Sequence, residues 1–138
     1  MNVKENKERV FSQVAHAMEQ ASRTDSVQVI AVTKYVGVDQ ALALVRAGVG
    51  HIGENRVDKF LEKYQALKEE RLTWHLIVSL QRRKVKDVIN FVDYFHALDS
   101  VKLAQEIQKR ATHPIKCFLQ VNISGEESKH GFAPEELD

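Results

Sequence analysis

Short apolar runs of strand length alternate with amphipathic stretches of helix length along the whole chain, and this alternation restricts its fold more than any other feature. Val10, Phe11, Val14, Ala15 and Met18 fall at helical spacing, which predicts an N-terminal helix over about 3–21. Strand-like runs then occupy 27–33, 51–53, 74–78, 94–98 and 115–123. Between them lie helical faces built on Ala41, Leu42 and Val45, on Val57, Phe60, Leu61, Tyr64 and Leu67, on Val85, Val88 and Ile89, and on Leu103, Ala104 and Ile107. Gly48 stands where a helix C-terminus favours left-handed backbone. Asn55 is placed to cap the third helix, and Asp99 or Ser100 the fifth. Strands alternating with helices predict right-handed βαβ units and an all-parallel sheet in a single α/β domain.

The composition suits that reading. With 138 residues, 43% hydrophobic and 28% charged, the chain has the balance of a soluble globular domain. A net charge of +1 exerts no overall pull toward nucleic acid or an anionic membrane. The single cysteine, Cys117, excludes an intrachain disulfide and fits a reducing compartment. Without a membrane-length apolar run or a secretory leader in the sequence, a cytoplasmic location and no membrane partner are expected.

Chemistry is expected at the C-terminal ends of the strands, where parallel α/β folds place their sites. Lys34 ends the first apolar run, Val29-Ile30-Ala31-Val32-Thr33. A lysine there is either solvated or a nucleophile, and forming an imine with an aldehyde would require a neutral amine favoured by desolvation or neighbouring cations. Gly53-Glu54-Asn55-Arg56 follows the second run, where Glu54 and Asn55 either cap a helix or face a ligand. His75 lies in the third run, as a core histidine or a site residue, with Ser79 just beyond it. The other histidines show no ligand or triad spacing and are expected to be surface or capping groups. Strand parity puts Gln120 and Asn122 on the face opposite Cys117 and Leu119, toward a barrel or cleft. The basic run Arg82, Arg83, Lys84 and Lys86 opens a helix without interleaved aromatics, so a solvated face is favoured over a nucleic-acid patch. A loop over 122–132 and a helical first turn over 134–138 close the sequence.

Six ordered motifs extend this reading: Ala31-Val32-Thr33-Lys34, Ile52-Gly53-Glu54-Asn55, Trp74-His75-Leu76-Ile77, Leu80-Gln81-Arg82-Arg83-Lys84, His96-Ala97-Leu98-Asp99-Ser100 and Leu119-Gln120-Val121-Asn122-Ile123-Ser124-Gly125-Glu126. Together they resemble the pyridoxal phosphate homeostasis protein family, whose barrel is similar to the N-terminal domain of alanine racemase. The resemblance implies a parallel (β/α) barrel in which Lys34 holds pyridoxal 5′-phosphate (PLP) as an imine. Glu54, Asn55, His75, Ser79, Gln120 and Asn122 would form its walls. It implies a cofactor carrier without catalysis of its own, serving PLP-dependent client enzymes. The alternatives are a PLP-dependent amino-acid racemase or lyase, and a polyanion-binding interaction module acting through the basic run.

The sequence departs from the family twice. Val78 stands where members usually carry glycine, which adds bulk beside the site. A complete barrel needs eight strands and about 250 residues, whereas this chain supplies about five of the eight units. It reads as the first part of such a protein, without the downstream phosphate-binding segment. Complete members are expected to be monomers or weak dimers, while edge strands left open here would favour self-association.

Overall fold

In the computed structural model, which describes residues 2–127 and 129–137, the alternation resolves into one open, all-parallel sheet covered by helices on one face. Its five strands lie in sequence order: β1 (Ala31–Val32), β2 (His51–Glu54), β3 (Thr73–Leu76), β4 (Tyr94–Leu98) and β5 (Lys116–Leu119). The helices are α1 (Val3–Gln20), α2 (Val38–Arg46), α3 (Val57–Leu67), α4 (Arg82–Val88) and α5 (Val101–Arg110). Each of α2 to α5 connects one strand to its parallel neighbour, as the βαβ reading requires.

Strand parity separates the two faces. Ile52, Trp74, Leu76, Phe95 and Ala97 point toward the helices and pack with Phe60, Leu67, Val85, Val88, Leu103 and Ile107 in the core. The opposite, concave face carries His51, Gly53, His75, Tyr94, His96, Lys116 and Phe118.

Several local expectations need revision. The first strand is two residues long rather than spanning 27–33, because β1 is an edge with a ladder to β2 alone, starting at Ala31 opposite Ile52. The fifth ends at Leu119, and Val121 beyond it makes a separate bridge to Phe132. Asn55 does not cap α3; Arg56 occupies that position and makes no side-chain capping bond. Ser100 does cap α5, its hydroxyl accepting from the Leu103 N–H at 3.1 Å. Gly48 takes φ +107°, as a left-handed helix end requires. The segment Pro134–Leu137 is a 3-10 turn, whereas Ser128 in the loop and the final Asp138 lie outside the described residues.

Candidate functional site

At the top of β1 the chain is an edge strand, so its backbone has a sheet partner on one side only. Compensation comes from beneath. The Thr33 N–H donates to the Gly53 carbonyl at 3.0 Å, and the Thr33 carbonyl accepts from Lys63 Nζ at 2.9 Å. Lys63 Nζ also bonds Glu54 Oε2 at 2.9 Å, and the Thr33 hydroxyl donates to that same oxygen. All three residues are buried, with the Lys63 side chain 2% exposed and that of Glu54 fully covered. Lys63 and Glu54 thus form an ion pair that grips the residue preceding Lys34.

Lys34 itself is exposed, its ammonium 5.0 Å from the centre of the Tyr35 ring. The apolar enclosure expected around this amine is not provided by the described residues. Glu54 is likewise no wall residue and no cap, because parity turns it to the helix side of β2, under α3.

The concave face holds a second polar array. His51 Nδ1 lies 3.0 Å from His75 Nε2, and His75 Nδ1 lies 2.9 Å from His96 Nε2. A neutral imidazole offers one N–H and one lone pair, so donation through the three rings runs in one direction. Tyr94 stacks on His75 at 4.7 Å, and Phe118 lies 4.8 Å from His96. Burial, reinforced by its two histidine neighbours, pushes the His75 pKa down to about 4; burial also lowers that of His96. His51 and His96 are therefore not the surface or capping groups expected. Sequence spacing missed them because the contact runs across three strands, although each falls at an inward parity position.

The remaining predicted residues separate. Asn55 and Ser79 line an open groove of about 1070 Å³ between the starts of α3 and α4, together with Val78, Arg83 and Lys84. Val78 takes ordinary backbone, since Ser22 is the one described non-glycine residue with positive φ. Gln120 and Asn122 secure the following loop. The Gln120 amide donates to the His130 carbonyl at 2.9 Å, and the Asn122 amide to that of Glu126 at 2.7 Å. Lys34 borders neither the groove nor the depression beside this loop. The predicted residues thus share the C-terminal side of the sheet without enclosing a common cavity.

The donor set fits an aldehyde cofactor at one end, where Lys34 offers an exposed primary amine on a braced strand terminus. Asn55, Ser79, Arg83 and Lys84 are polar and cationic groups of the neighbouring groove, which Lys34 does not border and which Asp58 and Asp87 share, so the described residues do not join the amine to an anion site. No described group of histidine, cysteine, aspartate or glutamate side chains could hold a metal. Among the described residues, no helix is long and apolar enough to cross a membrane.

Comparison with known proteins places this geometry in context. Residues 7–138 match the family described as alanine racemase, N-terminal domain. The chain is 39% identical over 141 residues to the pyridoxal phosphate homeostasis protein of Aquifex aeolicus (strain VF5), covering 99% of this chain and 62% of that one. It is 35% identical to the protein of that name from Pasteurella multocida (strain Pm70), covering 99% and 61%. The structure of PipY from Synechococcus elongatus PCC7942 with PLP bound aligns with TM-score 0.82 and 30% identity, over 99% of this chain and 60% of PipY. The crystal structure of an unknown protein from Bifidobacterium adolescentis aligns with TM-score 0.85 and 34% identity, over 97% and 60%. The chain spans about three-fifths of the length of these relatives. The chain belongs to the alanine racemase N-terminal domain family, and the members it parallels along nearly its whole length are pyridoxal phosphate homeostasis proteins.

Proposed function

We propose that this chain binds PLP and acts in its homeostasis, with Lys34 as the residue that carries the cofactor. The observation behind this reading is the braced, solvent-open amine at the C-terminal end of β1. The likeness to a PLP-bound PipY structure supports it. PLP supplies a reactive aldehyde; the protein supplies placement. The Lys34 nitrogen, once deprotonated, forms a C=N bond with the aldehyde carbon, and the aldehyde oxygen leaves as water. PLP-dependent enzymes are the proposed recipients of the cofactor.

We propose carriage rather than turnover. A racemase or lyase needs a proton-transferring group at the bound substrate. His75, the ionisable residue predicted for the wall, has both ring nitrogens engaged by His51 and His96. The polyanion reading is weaker because Asp58 and Asp87 share the groove with Arg56, Arg83, Lys84 and Lys86.

Adding PLP to the purified chain should produce an imine absorbance band near the visible edge. Borohydride reduction followed by peptide mapping should locate the label on Lys34. Lys34→Ala should remove both signals, and a label mapped to another lysine would overturn the assignment.

A further inference from the structure

We infer that Lys63, acting through Glu54 and Thr33, is a positioning residue for the Lys34 amine. This inference rests on the proposed PLP-binding role of Lys34. Thr33 immediately precedes Lys34 and is held at its N–H, its carbonyl and its hydroxyl. Two of those holds depend on the buried pair. Lys63 Nζ takes the carbonyl at 2.9 Å, and Glu54 Oε2 takes the hydroxyl. The same Glu54 oxygen receives Lys63 Nζ at 2.9 Å, while Oε1, also buried, has no hydrogen-bond partner. One oxygen thus takes both the Thr33 hydroxyl and the Lys63 ammonium, and turning the carboxylate away would free the hydroxyl and deprive the ammonium of its charge partner.

The site has a specific need for such a brace. β1 spans two residues and has a ladder on one side, so the sheet constrains its C-terminal end weakly. The chain turns immediately afterwards, with the Val36 N–H donating to the Thr33 carbonyl at 3.2 Å. That carbonyl therefore serves both the turn containing Lys34 and the buried ammonium. Losing the ammonium would widen the range of directions open to the Lys34 side chain, and condensation depends on orientation. A buried ion pair is weak evidence of a gain in stability, since apolar replacements of similar size are often tolerated. Its use here is to fix a backbone.

The test replaces both charges at once, with Glu54→Met and Lys63→Met, so that neither is left buried without its partner. The double variant should keep a cooperative melt while binding PLP roughly tenfold or more weakly per folded molecule, read from the imine band. Hydrogen exchange without cofactor should quicken at Thr33 and Val36 and remain unchanged in β3 and β4. Thr33→Val removes only the hydroxyl link and decides the matter if the double variant does not fold. It should weaken the band a few-fold, roughly the loss of one hydrogen bond. Wild-type affinity in a folded double variant, or in Thr33→Val where the double variant fails, overturns the inference and leaves Lys34 in its proposed role. A wild-type chain that never forms the band overturns that role, and this inference with it.

Discussion

A lysine buried to 2% exposure needs its hydrogen-bonding demand met inside the protein, and Lys63 meets it with one carboxylate oxygen and one carbonyl. Truncating only one member of the pair leaves the other charge buried alone. Lys63→Met should therefore destabilise the fold by about 3–5 kcal/mol in denaturant melts, and adding Glu54→Met should recover most of that loss. The histidine array gives a second prediction at this scale. An unfolded histidine titrates near 6.5, whereas native His75 does so at about 4. Between those values the unfolded chain takes up a proton that the native ring refuses, so stability should fall as pH drops from about 6.5 to about 4. Thermal melts at pH 7.5 and pH 5 should show this fall, and His75→Gln should reduce it.

Turns and edges govern the elements. Gly131 adopts φ +134°, and a Cβ there would lie 2.9 Å from both the Asn122 nitrogen and the Gln120 carbonyl oxygen. Gly131→Ala should break the Val121–Phe132 bridge and cost about 1–3 kcal/mol in denaturant melts, with the greatest loss of amide protection over 120–132. Gly53 differs: an added Cβ would meet Ile77 Cδ1 at 2.8 Å and Ile30 Cγ2 at 3.2 Å, contacts made by side chains. The order and type of the elements were legible in the sequence because helical and strand periodicities differ clearly. The sequence reading of β4, over 94–98, agrees to the residue, and Ser100 is the cap where Asp99 or Ser100 is expected. The limits of β1 and β5 were not, since apolar sequence shows what can be a strand but not where a pairing partner stops. Lys63 was missed although its spacing from Phe60 and Leu67 puts it on the buried face of α3; a charge there signals a buried partner. Lys34, by contrast, stands out in the sequence by its place at a strand end, and its role in cofactor binding is the proposal made above.

For the molecule as a whole, an open sheet has two edges. Apolar groups are exposed at both, with Val32 of β1 50% exposed, and Phe118 and Leu119 of β5 53% and 54% exposed. Such edges template association with other strands. Sedimentation of this chain alone should show a mass that rises with concentration, and Leu119→Lys should suppress the rise. A concentration-independent monomer would show that the edges are protected in solution. The α2–α5 layer would be unaffected by that result, because its core is already buried.

Among the described residues, the hydrogen bonds that hold Thr33 at the top of β1 come from the segment between Ala31 and Lys63. A nascent polypeptide leaving the ribosome could therefore assemble the seat of Lys34 before β4 and β5 had been translated. On the proposed role of Lys34, vitamin-derived aldehyde would then meet a prepared attachment point early in biosynthesis.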